Sequence, residues 1–146
     1  MSNTAAWLAM LLALVVLAAA AGCGAAPGEE YADLRRNCKA ALDEAETVFA
    51  QGNFEAACQK YDEALQPGGL NPDLYVLAVT KRAVCWGYQG KFDEAFAALD
   101  EVAPGAANLD MIYAARSFLL RKQGKIAEAK AAWGQAKRIN RSVEQF

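Results

Sequence analysis

Any chemistry in this chain falls to cysteine, tyrosine, lysine and carboxylates, because its 146 residues include no histidine. That removes the commonest general base and the commonest neutral metal ligand together. The four cysteines, Cys23, Cys38, Cys58 and Cys85, form no CxxC pair and fit no zinc-ligand spacing. No glycine-rich phosphate loop and no serine-nucleophile motif is present. The carboxylates Asp62, Glu63, Asp93, Glu94 and Glu128 fall on the polar faces of the helices read below, where solvated surface is their expected role. The expectation is therefore no enzyme activity, no catalytic residue, no metal and no cofactor. With a net charge of −2 and no basic stripe, nucleic acid is not an expected partner either.

The elements that position these residues begin after an apolar leader. From Ala5 to Gly22 there is no charged side chain, and Trp7 to Leu17 is apolar almost throughout. Such a run is membrane-directed. It ends in the small residues Ala20, Ala21 and Gly22 before Cys23, and every Asp, Glu, Lys and Arg follows that point. Residues 1–22 are read as a leader, residues 23–30 as a tether and residues 31–146 as one folded domain. In the tether, Gly24-Ala25-Ala26-Pro27-Gly28 resists helix and strand, and at full extension it reaches at most about 25 Å.

The domain repeats itself. Copies aligned on Gly52, Gly90 and Gly124 stand 38 and 34 residues apart. Five residues past each glycine is an alanine (Ala57, Ala95, Ala129), then a large residue (Tyr61, Leu99, Trp133), then Ala64, Val102 or Ala136. Offsets of three, four and seven mark one helical face. Before each glycine comes a second helical pattern, with Ala45, Ala83 or Ser117 and then Val48, Trp86 or Leu120. The glycines close a turn between two helices, since glycine accepts a left-handed conformation. Helices are predicted at about 31–51, 54–66, 72–89, 92–103, 107–123 and 126–140. The fold class is all-α, a stack of three helical hairpins in which each buries a face its own two helices cannot hide.

These copies resemble tetratricopeptide repeats: a small residue in the first helix, glycine, an aromatic two residues later (Phe54, Phe92, with Ile126 in the third copy), alanine, then a large residue. The resemblance runs from about Cys38 to Asn140, with Glu44, Arg82 and Arg116 where the family often has leucine. It implies a TPR-like α-solenoid whose first helices line a peptide-binding groove. The positions carried over are Leu42, Glu46 and Phe49, then Leu77, Thr80, Val84 and Tyr88, then Met111, Ala114, Phe118 and Arg121. This mostly apolar set suits an apolar helix or extended segment of another protein better than a carboxylate clamp. The same surface could instead close a homodimer, and the basic last third, from Arg116 to Arg141, could meet an acidic partner, anionic head groups or another copy.

In antiparallel stacked hairpins Cys58 and Cys85 stand at nearly one height, with Cys38 displaced by roughly 10 Å at 1.5 Å per residue. One expectation is a Cys58–Cys85 disulfide; the other is three reduced core thiols. The leader resembles a bacterial lipoprotein signal, which implies acylation of Cys23, and an uncleaved membrane anchor is the competing reading. Gly24 after the cysteine implies the outer membrane by the sorting rule of Gram-negative bacteria, with the domain facing the periplasm. Similar lipoproteins serve as adaptors in pilus, secretion, motility or barrel-assembly machines. A self-associating structural subunit and an enzyme accessory protein are the alternatives.

Overall fold

A computed structural model describes the chain from Pro27 to Phe146, with side chains from Gly28 onward. The leader and Cys23 lie outside the described residues. Six helices follow one another: α1 Pro27–Ala50, α2 Phe54–Leu65, α3 Pro72–Tyr88, α4 Phe92–Val102, α5 Leu109–Lys122 and α6 Ile126–Ile139. There is no strand among the described residues. The boundaries agree with the sequence expectation to within two residues except at the start of α1. There the helix takes in Pro27 to Glu30, which the sequence reading gave to the tether. Proline is tolerated in a first helical turn, where its missing N–H has no helical partner to lose, and Glu29 and Glu30 complement the positive end of the helix dipole.

Each repeated glycine turns the chain in the same way. Gly52, Gly90 and Gly124 have φ of 78°, 77° and 78°, the left-handed region that glycine enters without a Cβ clash. In each turn the residue after glycine donates its N–H to the carbonyl five residues back: Asn53 to Val48 at 3.3 Å, Lys91 to Trp86 and Lys125 to Leu120 at 2.9 Å. The glycine N–H bonds to Phe49, Gly87 or Arg121. Both bonds define the Schellman motif, which satisfies carbonyls that a helix end leaves free. Caps start the next elements where the sequence provides them, with Asn53 Oδ1 accepting from the Ala56 N–H and Asn71 Oδ1 from the Leu74 N–H, the latter just before Pro72.

The compact unit that carries the packing runs from Asp33 to Phe146. Within it α2 packs on α3, α3 on α4, α5 on α6, and α3 also touches α5. One core cluster joins α1, α2 and α3 through Leu42, Ala45, Ala57, Tyr61, Ala64, Ala78 and Cys85. A second joins α3, α4 and α5 through Ala83, Val84, Ala95, Leu99, Ile112, Phe118 and Leu119. The repeated small residues are buried in every copy (Ala45, Ala83, Ser117; Ala57, Ala95, Ala129), so neighbouring backbones approach closely at those levels. In the third copy the Ser117 hydroxyl uses that proximity to donate to the Ala129 carbonyl at 2.8 Å.

Charges at repeat-equivalent positions tie one hairpin to the next. Asp62 on α2 pairs with Arg82 on α3 at 2.7 Å, and ten residues past the next glycine Asp100 on α4 pairs with Arg116 on α5. Both arginines thus reach back to the preceding helix. The residue equivalent to Asp62 and Asp100 in the third copy is Gly134, and the residue equivalent to the arginines in the first copy is Glu44, which pairs within its own hairpin to Lys60 at 3.1 Å. In the longer first link, Gly69 lies against Leu34 and Cys38 of α1. A Cβ there would meet Cys38 Sγ at 2.8 Å and the Leu34 carbonyl at 3.0 Å.

Candidate partner-binding groove

A cavity of about 610 Å³ opens where the end of α1, the start of α2, α3 and the start of α5 meet residues 140–146. Its walls come from Phe49, Val84, Tyr88 and Met111, all expected from the sequence, together with Phe54, Lys81 and Asp110. An aromatic chain runs along this wall. Phe49 meets Phe54 edge-on at 5.4 Å, Phe54 stacks on Tyr88 with centroids 3.6 Å apart, and Tyr88 tilts onto Phe118 at 5.0 Å. Lys122 lies over the Tyr88 ring at 4.4 Å, and Lys81 over Phe49 at 5.3 Å. Cations over aromatic faces are attracted by the ring quadrupole, so the basic side chains frame an apolar surface here.

One polar knot fixes the α1 side of the face. The Tyr61 hydroxyl donates to Glu46 Oε1 at 2.6 Å, and Lys81 Nζ pairs with Glu46 Oε2, so α1, α2 and α3 meet at one carboxylate. Burial, then the bond to Glu46, pushes the Tyr61 phenol above its ordinary range. Glu46 is thus an internal tie as well as a groove position.

The remaining expected groove residues divide. Leu42, Thr80, Val84, Ala114 and Phe118 are buried, at 3% exposure or less. Leu77 is half-buried against the α1–α2–α3 core, while Tyr88 stays 41% exposed and Arg121 is exposed. Position along a first helix settles which side a residue takes, but the closeness of α3 to α5 settles whether that side is open, and the latter is not written in one helix's spacing. Thr80 Oγ1 is buried without a partner.

The sequence reading missed the occupant of this face. After α6 the chain leaves helix at Asn140 and returns over α5. Asn140 Nδ2 donates to Asp110 Oδ2 at 2.7 Å, near the start of α5, and Arg121, near its end, donates to the Phe146 main-chain oxygen at 2.9 Å. Lys137 holds the bend by donating to the carbonyls of Arg141 and Val143 at 2.7 and 3.2 Å. Phe146 then reaches α1, edge-on to Phe49 at 6.3 Å, and joins the second core cluster. Two apolar residues three apart, Val143 and Phe146, in an otherwise polar end were the available signal.

Cys38, Cys58 and Cys85 are buried free thiols. Cys58 and Cys85, for which a disulfide and reduced core thiols were the two expectations, lie together in the α1–α2–α3 core. Burial, then the proximity of Cys58, pushes the Cys85 thiol up to about 12, and burial raises Cys58 as well. Such thiols are poor nucleophiles, because the thiolate is the reactive form. Asp62, Glu63, Asp93, Glu94 and Glu128 are all exposed, and no cluster of potential metal ligands occurs among the described residues. Part of the basic last third is engaged internally, Arg116 by Asp100 and Arg121 and Lys137 by main-chain oxygens. No described helix is long and apolar enough to cross a membrane. No family model, curated protein or solved structure matches the chain.

Proposed function

We propose that this chain is a membrane-tethered, TPR-like adaptor of the bacterial envelope, acylated at Cys23, which binds a segment of another envelope protein on the face of α1, α3 and α5. The observation that carries the reading is the aromatic wall of Phe49, Phe54 and Tyr88 beside a cavity of about 610 Å³, on the face where repeat-equivalent positions converge. An extended segment or helix takes such a surface by seating apolar side chains in it while its polar groups stay in water. The apolar leader and the Ala-Ala-Gly-Cys junction support lipid anchoring, with the outer membrane, domain towards the periplasm, as the proposed site. The work is binding, not catalysis: buried high-pKa thiols and dispersed surface carboxylates supply no activated nucleophile.

Head-to-tail stacking of copies is the weaker alternative. A next copy's α1 following α6 would set Glu44 opposite Gly134, where the internal junctions have Arg82 with Asp62 and Arg116 with Asp100.

The test is photocrosslinking in intact bacteria from Tyr88, which is exposed on this face, with Glu128 on α6 as control; Val84 and Phe118 are too buried to report. One envelope protein captured at Tyr88 and absent at Glu128 supports the adaptor. Capture of the chain by itself alone, or of nothing, refutes it.

A further inference from the structure

Asn140 and residues 142–146 line the cavity opposite Phe49, Val84 and Tyr88, and three observations describe how the segment lies there. The segment opens with a turn at Arg141 and Ser142, in which the Val143 N–H donates to the Asn140 carbonyl at 3.2 Å, and then runs without helix or strand to Phe146, tied to Asp110 and Arg121 of α5. Its side chains divide in role at a spacing of three: Val143 and Phe146 are half-buried, whereas Arg141, Ser142, Glu144 and Gln145 are exposed. Its fit is loose, because the cavity of about 610 Å³ lies between the segment and the wall of Phe49, Val84 and Tyr88. A wall that faces a void forfeits dispersion contacts that a better-fitting segment would make. Of the fixing bonds, those from Arg121 to Gln145 Oε1 and the Phe146 oxygen, from Asn140 to Asp110 and from Lys137 to the Arg141 carbonyl are exposed to competing water, and that from Lys137 to the Val143 carbonyl is part-buried.

From this we infer that residues 141–146 are a displaceable internal occupant of the groove, and that the external ligand is a peptide with an aliphatic residue three positions before an aromatic one. The aromatic would replace Phe146 against Phe49, and a peptide carbonyl would take the Arg121 guanidinium. The inference rests on the adaptor reading and deepens it by naming the ligand's chemistry and the contact that binding must break. A groove that is closed most of the time lowers apparent affinity by the fraction that is open. Removing the occupant should therefore tighten binding without a new contact.

Two measurements on the full chain in detergent test this. In the first, Phe146 is replaced by a photoreactive phenylalanine analogue, and intramolecular crosslinks are mapped by mass spectrometry; the expected product joins position 146 to the end of α1. Crosslinks elsewhere would overturn the inference and leave the adaptor standing, with its groove open. In the second, a fluorescent peptide of sequence Asn-Arg-Ser-Val-Glu-Gln-Phe is titrated into wild type, Phe146→Ala, and Phe146→Ala with Arg121→Glu. The expected result is at least about tenfold tighter binding to Phe146→Ala than to wild type, lost again when Arg121 is reversed. Equal affinity for wild type and Phe146→Ala overturns the internal occupant alone. Absence of binding to all three overturns the inference, and the cellular crosslink from Tyr88 then decides the adaptor reading separately.

Discussion

Replacing Tyr61 by phenylalanine tests the carboxylate that joins three helices. Tyr61 has 0% exposure, and its hydroxyl donates to Glu46 Oε1 at 2.6 Å while Lys81 holds the other oxygen. Phenylalanine fills nearly the same volume, so the change removes a hydrogen bond and opens no cavity. A hydrogen bond to a charged group contributes about 1.5–3 kcal/mol. The Glu46 side chain is 32% exposed, so water can reach the vacated oxygen, which places Tyr61→Phe at the lower end, about 1.5 kcal/mol. Glu46→Ala is the more damaging change, about 2–4 kcal/mol, because it leaves the buried Tyr61 hydroxyl without its acceptor. Once Glu46 is gone, Tyr61→Phe has little left to remove, so the double variant should fall short of additivity by about 1–2 kcal/mol. Guanidinium unfolding followed by tryptophan fluorescence measures all three variants. Additive losses, or a Tyr61→Phe cost under about 0.5 kcal/mol, would show that the three helices are held by packing alone.

Three further outcomes follow from other parts of the fold. Gly90→Ala should lose about 1–2 kcal/mol by forcing a Cβ into a turn with φ of 77°, whereas Gly134→Ala, in the helical α6 with open space at its Cβ position, should gain about 0.5–1 kcal/mol; thermal melts of both decide. Cys58 and Cys85 should resist iodoacetamide at pH 8 until the chain is unfolded. Because the Cys85 thiol lies above its unfolded value of 9.0, the folded chain retains a proton that the unfolded chain has lost. Its contribution to stability is constant below about 9 and falls away as pH rises towards about 12, and Cys85→Ala should flatten that slope in unfolding midpoints measured across this range.

The helices, their order and their turns were legible in the sequence because each depends on local chemistry. Gly52, Gly90 and Gly124 adopt the left-handed turn wherever the flanking residues are helical, and alanines repeating at one register are buried in every copy. Pro27 was misread for the same local reason: proline and glycine together suggested a tether, while Pro27 in the first turn with Glu29 and Glu30 after it makes a helix start. The eleven positions expected in the groove divide in the structure. Spacing placed Phe49, Val84, Tyr88 and Met111 at one cavity, but Leu42, Thr80, Ala114 and Phe118 are closed off by neighbouring helices whose distance no single-helix period encodes.

By itself, then, the sequence determined an all-α chain of six helices and the absence of histidine chemistry. Only the tertiary structure decided that Arg82 and Arg116 reach back to Asp62 and Asp100, that Glu46 gathers Tyr61 and Lys81, that Cys58 and Cys85 sit together as thiols, and that Phe146 returns to Phe49. The physical reason is distance along the chain. Caps, turns and helical faces arise between residues a few positions apart, while a contact such as Phe49 with Phe146 exists only after the intervening helices have packed and brought the two ends of the domain within reach.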